Sequence, residues 1–148
     1  MAEKSHLDCI VIGYNELPFD RYRDLLMAYG EESEAYRDLK FNFVKLEDEN
    51  LDYINLLNKV HCTSRSARGI SAPFTPFRSG AIPNLAAAYL CQFLWRRGLQ
   101  ADYVNLYQSE KERLVEMLGK DPVCVAITTT FYVLDLPVVE IVEFILTI

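Results

Sequence analysis

The sequence predicts an α/β fold in which parallel strands alternate with helices. Its second half, residues 81–148, has the pattern helix, strand, helix, strand, helix with little sequence between the elements. Near the N-terminus, residues 7–13 form an apolar run rich in β-branched side chains, which is typical of a buried strand. Strands that alternate with helices are joined by crossover connections and form a parallel sheet. We therefore expect a three-layer domain with a core strand order of two-one-three.

The segment after the first strand has weaker patterns. Residues 19–29 carry apolar side chains at helical spacing and are followed by Gly30, which predicts a helix. Residues 41–46 alternate between apolar and polar side chains, and they predict a strand at an edge of the sheet or an extended arm. Residues 51–60 place apolar side chains on one side and predict a short helix.

Residues 62–83 form the longest segment without hydrophobic periodicity. Long irregular segments in compact domains are often functional loops. Phe74 and Phe77 indicate that part of this segment packs against the protein. We interpret it as a packed surface loop or as a lid over a ligand.

The elements of the second half have recognisable ends. The helix 84–97 begins with Asn84, a good N-cap after a proline, and it is followed by Gly98. Ser109 and Glu112 have the spacing of a capping box and predict a helix over residues 109–118. The predicted strands are Ala101–Leu106 and 123–128. The last helix, 136–148, is apolar almost all round, so we expect it to be largely buried.

Composition narrows the class of protein. The chain has 148 residues, 51% of them hydrophobic, and a net charge of −6, which predicts one domain without a nucleic-acid surface. No stretch is long and apolar enough to span a bilayer, and the N-terminus lacks a secretory hydrophobic region. We expect a cytoplasmic protein with no membrane partner. Cys9, Cys91 and Cys124 lie within predicted strands or helices, where we expect small hydrophobes rather than disulfides.

Polar side chains follow the predicted strands at their carboxyl ends. In open parallel sheets, ligands bind outside these ends. Hydroxyl and amide groups there suit amide or phosphate ligands, although the three threonines also suit the capping of the next turn. An aromatic side chain beyond the third strand suits stacking on a macrocycle or packing in a lid. The predicted binding residues are Tyr14, Asn15, Asn105, Thr128, Thr129, Thr130 and Tyr132.

Catalytic and metal motifs are absent from the sequence. His61 and Cys62 are adjacent, but a cysteine nucleophile needs a histidine that faces it and a third group that orients the histidine. No Gly-x-Gly-x-x-Gly, phosphate loop or clustered metal-ligand spacing occurs. We predict neither a catalytic residue nor a metal ligand.

Three segments carry a resemblance to a known family. Residues 82–90, Ile-Pro-Asn-Leu-Ala-Ala-Ala-Tyr-Leu, with the helix that follows, resemble the opening of a cobalamin-binding domain. Residues 122–132, Pro-Val-Cys-Val-Ala-Ile-Thr-Thr-Thr-Phe-Tyr, resemble its next strand and hydroxyl-rich exit, and residues 135–145 resemble the helix after it. With residues 8–15, Asp-Cys-Ile-Val-Ile-Gly-Tyr-Asn, the chain is similar to the N-terminal region of cobalamin-dependent radical SAM enzymes, in the branch of the phosphinate P-methyltransferases.

The resemblance implies a Rossmann-like or flavodoxin-like domain of the cobalamin-binding type over residues 1–148. Residues 1–80 would hold strand one and a family-specific insertion, and residues 81–148 the βαβ core. The family's domain continues with further strands, so the resemblance implies a C-terminally truncated form, either an excised domain or a natural fragment.

The chain departs from the family in two motifs. The cobalt-ligating Asp-x-His-x-x-Gly is absent, since the two histidines are His6 and His61. Radical SAM relatives often bind cobalamin without this histidine, so the cofactor stays in the prediction. The Cys-x-x-x-Cys-x-x-Cys that holds the iron–sulfur cluster is also absent. The cluster and S-adenosylmethionine would therefore belong to another part of a parent enzyme.

The resulting expectation is a domain that holds methylcobalamin for a separate catalytic radical SAM barrel, in cis or in trans, and is not catalytic alone. With part of the pocket missing, we expect weak or no cobalamin binding by this chain. The alternatives are a cofactor-free docking or scaffold domain of the same fold and a small-molecule enzyme that uses the 62–83 loop. The third strand would have an unpaired edge beside an apolar helix, so we also expect a homo-oligomer.

Overall fold

The computed structural model describes residues 6–16, 19–130 and 135–148. The chain divides into two compact units, one of Met1–Glu16 with Ile82–Ile148 (unit 1) and one of Leu17–Ala81 (unit 2). In chain order the elements are β1 Cys9–Tyr14, α1 Phe19–Leu26, α2 Glu34–Phe41, β2 Val44–Leu46, β3 Glu49–Leu51, α3 Tyr53–Ala67, α4 Leu85–Trp95, β4 Ala101–Leu106, α5 Lys111–Leu118, β5 Cys124–Ile127 and α6 Leu136–Leu146.

Unit 1 contains a three-stranded parallel sheet in the order β4-β1-β5. Cys9 at the start of β1 stands opposite Ala101 on one side and Cys124 on the other. β1 is thus the central strand, and its residues Ile10, Val11 and Ile12 are fully buried. The strands predicted at residues 7–13, 101–106 and 123–128 and the order two-one-three are confirmed.

Helices cover both faces of this sheet. On one face, Cys9 and Val11 pack with Ala87 and Cys91 of α4. On the other face, Ile10 and Ile12 pack in a cluster that includes Leu114 and Met117 of α5 and Ile141 of α6. Alternate residues of β1 therefore contact different helices, as the strand period of two requires. The protein is an α/β fold with a helix-sheet-helix layering in unit 1.

The starts of α4 and α5 differ from each other. Asn84 is the N-cap of α4, and its side-chain oxygen accepts a hydrogen bond from the Ala87 amide at 3.0 Å. The capping box predicted at Ser109 is wrong: α5 begins two residues later, and the Ser109 hydroxyl donates to the Leu106 carbonyl at 3.2 Å instead. A serine that bonds back to a preceding carbonyl belongs to the turn and not to the helix.

Helix α6 is less buried than its composition predicts. Pro137 and Ile141 are buried, but Val139 and Val142 are 41% and 40% exposed. The prediction of a largely buried last helix is therefore wrong. One stripe of the helix faces the sheet, and the unit has no further described layer to cover the opposite stripe.

Unit 2 agrees with the sequence predictions at its first helix and differs from them at residues 41–46. The helix predicted over residues 19–29 is confirmed as α1 followed by a 3-10 turn. The segment 41–46 is not an edge strand of the main sheet: Phe41 ends α2, and Val44–Leu46 pairs with Glu49–Leu51 in a separate antiparallel hairpin. A two-residue turn with Glu47 at a positive φ of 57° closes the hairpin locally, so the strand needs no distant partner.

The helix predicted over 51–60 is longer in the structure, since α3 continues through His61 and Cys62 to Ala67. The His61 ring then packs against the rings of Phe74 and Phe77, with centroid distances of 4.5 Å and 6.3 Å. Asn58 bonds both backbone groups of Phe77, at 2.8 and 2.9 Å. The segment after α3 is therefore a loop packed on this helix, as Phe74 and Phe77 predicted.

Candidate functional site

The carboxyl ends of the three strands meet around the side chain of Asn84. Its amide donates to the Thr128 hydroxyl at 3.2 Å, and this hydroxyl donates to the Gly13 carbonyl at 2.7 Å. An added Cβ on Gly13 would lie 2.8 Å from the Asn84 Cβ, so glycine is needed for this close approach. Asn84 is 1% exposed. One buried amide thus joins the start of α4 to the ends of β1 and β5.

The end of β4 is bonded into the same group. The Asn105 side-chain oxygen accepts from the Asn84 backbone amide at 2.7 Å, and its side-chain amide donates to the Ile82 carbonyl at 3.1 Å. The Glu110 carboxylate accepts from the backbone amides of Asn105 and Leu106 at 2.9 and 3.0 Å. These bonds fix the turn that leads from β4 into α5.

The exit of β1 has a second amide pair. Asn15 is buried, and its side-chain amide donates to the Pro137 carbonyl at 2.7 Å. Its oxygen accepts from the side-chain amide of Gln108, whose own oxygen accepts from the Glu16 backbone amide. Asn15 thereby ties the end of β1 to the start of α6 and to the turn after β4.

The predicted binding residues fall into two groups. Asn15, Asn105 and Thr128 are brought together, but their side chains bond to the protein itself. Tyr14 is half-buried at the end of β1, and Thr129 and Thr130 are exposed beyond β5. Tyr132 lies outside the described residues, so its predicted role stays a prediction.

Most polar side chains at the carboxyl ends of the strands are already hydrogen-bonded within the protein, so few are available to a corrin cofactor. Among the described residues, no buried side-chain nitrogen or oxygen lacks a hydrogen-bond partner, and no group of three His, Cys, Asp or Glu could hold a metal ion. His6 bonds to Asp8 at 2.7 Å at the amino end of β1, and His61 lies in unit 2. The side chains of Asn15, Asn105 and Thr128 are engaged within the protein, whereas Thr129 and Thr130 are exposed. The predicted role of all five in binding a cofactor stays a prediction.

An apolar groove lies at the opposite, amino end of β5. It has a volume of about 610 Å³ and is lined by the ends of α5 and α6, by β5 and by the segment between α5 and β5. Among the described residues that line the groove, Asp121 is the one that carries a charge. Val123 and Ile148 at the groove are 77% and 61% exposed. We call this surface, with the edge of Cys124–Ile127 that pairs with no strand in the described part of the chain, the β5 edge surface.

Sequence reasoning missed three residues that organise the carboxyl ends. Asn84 was predicted as a helix cap but not as the centre of the group, and Gln108 and Glu110 were not predicted. A buried asparagine cannot be told from an exposed cap by local pattern, because its extra bonds go to strands far away in sequence. Glu110 carries a usable signal, since a carboxylate shortly after a strand end can accept from exposed backbone amides.

Comparison of the chain with models of known protein families, with curated proteins and with solved structures gives no match. The fold defines the class as an α/β protein whose three-stranded parallel sheet is flanked by helices. Within residues 6–16, 19–130 and 135–148, no helix has the length and apolar character needed to cross a membrane.

Proposed function

We propose that this protein is a non-catalytic docking domain of Rossmann-like or flavodoxin-like fold, which pairs with a second copy of itself along β5. The observation that carries the proposal is the β5 edge surface. In the described part of the chain, β5 pairs with β1 alone, and its residues Cys124–Ile127 include no charge and no proline. Natural edge strands commonly carry such features to prevent pairing with another chain.

The apolar surroundings of β5 support the same proposal. The groove beside the strand, with the exposed Val123 and Ile148 in its lining, places apolar surface next to the unpaired edge. Backbone pairing along the edge then buries this surface at the same time. Peptide recognition by strand addition combines these two contributions.

Charge favours a second copy as the partner. A symmetric pair of β5 strands is antiparallel, because the same patch must serve both chains. Pairing centred on Val125 places Val123 opposite Ile127, and Asp121 opposite Thr129 of the other copy. The two aspartates therefore stand at opposite ends of the ladder, and no like charges face each other.

Light scattering after gel filtration over a range of protein concentrations tests this proposal. We expect a dimer at micromolar concentration, and we expect Val123→Lys to raise the dimer dissociation constant at least about tenfold, or about 1.4 kcal/mol. Leu99→Lys is the matched control, since Leu99 is 40% exposed just before β4, which lies at the opposite edge of the sheet from β5. The proposal would be rejected if the wild type stayed monomeric at concentrations about a hundredfold above the micromolar range, or if both variants raised the dimer dissociation constant equally.

A second candidate is a cofactor-holding domain of the cobalamin-binding type, working beside a separate radical SAM catalytic domain. The sheet order β4-β1-β5 and the exposed Thr129 and Thr130 at the carboxyl end of β5 favour it. Since most other polar groups there are engaged, we expect weak binding. Titration with hydroxocobalamin, read as absorbance retained after gel filtration, measures it.

The matched variants for this titration are Thr129→Ala with Thr130→Ala, and Ser109→Ala as the control. Weak retention that the double threonine variant removes supports the cofactor-holding domain. No retention by the wild type supports the cofactor-free docking domain. Tight stoichiometric retention, unaffected by either variant, would show that other residues form the pocket.

A further inference from the structure

Three of the four cysteines meet on one face of the sheet in unit 1. Cys9 of β1 and Cys124 of β5 stand directly opposite each other in the parallel register. Residues paired in this way point to the same face, so the two thiols are neighbours. Cys91 of α4 packs on the other side of Cys9 in the same apolar cluster. Of these three cysteines, Cys124 is exposed, whereas Cys9 and Cys91 are buried.

The two thiols differ in their surroundings. Cys9 is 5% exposed, whereas Cys124 is exposed at the start of the edge strand. The Cys124 sulfur lies 3.9 Å from the Asp8 carbonyl, so the thiol points across the gap towards β1. Burial, with a contribution from the hydrogen bond between the two thiols, raises the pKa of the Cys9 thiol to about 12. Cys9 therefore stays protonated and unreactive by itself at neutral pH.

The spacing of the strands permits a bond between these residues at a small cost. Neighbouring strands lie about 4.8 Å apart, within the roughly 4.4 to 6.8 Å between Cα atoms that disulfides span. The Cβ atoms must approach somewhat more closely than in an unperturbed ladder. β5 is held by β1 on one side, so its first residues can move towards β1. A disulfide closed under such strain is readily reduced.

We propose that Cys9 and Cys124 are a modification site of the chain whose β5 edge is unpaired, in which a hydroperoxide oxidises Cys124 and Cys9 then closes a reversible disulfide. In the first step the Cys124 thiolate attacks one peroxide oxygen, giving a sulfenic acid and releasing hydroxide or alkoxide. In the second step the Cys9 sulfur attacks the sulfenic sulfur, and the Cys9 proton leaves with the hydroxyl group as water. Two thiols are oxidised by two electrons, and one peroxide is reduced.

The test is mass spectrometry of the full-length chain treated with hydrogen peroxide and digested with trypsin without a reductant. The four cysteines fall in four different tryptic peptides, residues 5–21, 60–65, 79–96 and 121–148. We expect a linked pair of peptides 5–21 and 121–148, lighter than their sum by two hydrogen atoms, which dithiothreitol separates. A link between Cys9 and Cys91, or overoxidised Cys124 without a link, overturns the proposal.

Variants separate the two steps. Cys9→Ala should leave the sulfenic acid on Cys124, trapped by dimedone in several-fold greater yield than in the wild type. Cys124→Ser should leave Cys9 unmodified, because the buried thiol does not react directly. Cys62→Ser is the matched control for an exposed thiol, since Cys62 lies in unit 2 and its loss should not change the linked peptide. Equal dimedone labelling of the wild type and Cys9→Ala would also overturn the proposal.

Discussion

The side-chain amide of Asn84 donates a hydrogen bond to the hydroxyl of Thr128, over a sequence separation of 44 residues. The same asparagine caps α4, so one side chain serves a local and a distant role. The polar group at the carboxyl ends is thus a structural brace in which the ends of β1 and β5 are held together.

This brace predicts different effects for neighbouring threonines. Thr128→Val removes the bonds to the Gly13 carbonyl and the Asn84 amide and should lower the free energy of unfolding by about 1 to 3 kcal/mol. Thr129→Val, at an exposed position, should change it by less than about 0.5 kcal/mol. Urea unfolding followed by circular dichroism measures both variants. Equal effects would mean that the hydroxyl of Thr128 does not brace the strands.

Replacement of Gly13 by alanine should destabilise the protein because of steric overlap. The added Cβ would lie 2.8 Å from the Asn105 carbonyl and from the Asn84 Cβ, so these groups must move, at a cost of about 1 to 3 kcal/mol. Gly119→Ala is the control: its nearest contact is 3.4 Å, and its φ is −62°. Thermal unfolding of the two variants should show a lower midpoint for Gly13→Ala alone.

Acidification should weaken the start of the sheet through Asp8. Its carboxylate accepts from the Gln100 backbone amide at 2.6 Å and bonds to His6, and these bonds lower the pKa of Asp8 below its ordinary value of 3.8. Because the pKa of Asp8 is lower in the folded state, its carboxylate contributes to stability. This contribution is fully present above the ordinary pKa and is lost as the pH falls through the lower pKa of the folded state.

The measurement is the free energy of unfolding of the wild type and of Asp8→Asn between about pH 5 and about pH 2. Asparagine keeps an oxygen acceptor for the Gln100 amide but does not titrate. The wild type should therefore lose more stability than the variant over this range. Parallel curves would show that Asp8 does not contribute to the pH dependence.

In unit 2, we expect Asn58 to protect the loop that carries Phe77 against proteolysis. Asn58→Ala removes both hydrogen bonds to the Phe77 backbone and should raise the rate of tryptic cleavage after Arg78 several-fold. Asn55→Ala, on the same helix, removes a side-chain bond to Asp52 and leaves the loop contacts intact. Cleavage rates that rise equally in both variants would assign the effect to the helix and not to the hydrogen bonds between Asn58 and Phe77.

Local patterns were sufficient for the strands and most helices of unit 1, because buried parallel strands are continuous apolar runs and Asn84 is a recognisable cap. They failed at residues 41–46, where alternation did not reveal that the strand pairs with Glu49–Leu51. They also missed α2, although Ser33 is its N-cap and accepts from the Tyr36 amide at 3.3 Å. Choice of partner strand is a tertiary property that alternation alone does not encode.

For the site, topology predicted which residues meet but not what their side chains bond to. Asn15, Asn105 and Thr128 lie at the expected end of the sheet, yet the partners Pro137, Asn84 and Gly13 depend on the turns that follow each strand. A polar residue at a strand exit has two uses, ligand contact or bracing. The hydrogen-bond distances that distinguish a ligand-binding side chain from a bracing one are set only when the chain is folded.

The central place of β1 has a consequence for how the chain is made. Both strand pairings in the main sheet involve β1, and Asp8 directly before it bonds to Gln100 and Cys124, at sequence separations of 92 and 116 residues. During synthesis β1 leaves the ribosome before β4 and β5, and it has no sheet partner until β4 follows. Contacts of such long range slow folding, so the N-terminal strand spends this interval exposed. Recombinant yield should therefore depend on chaperone supply during translation.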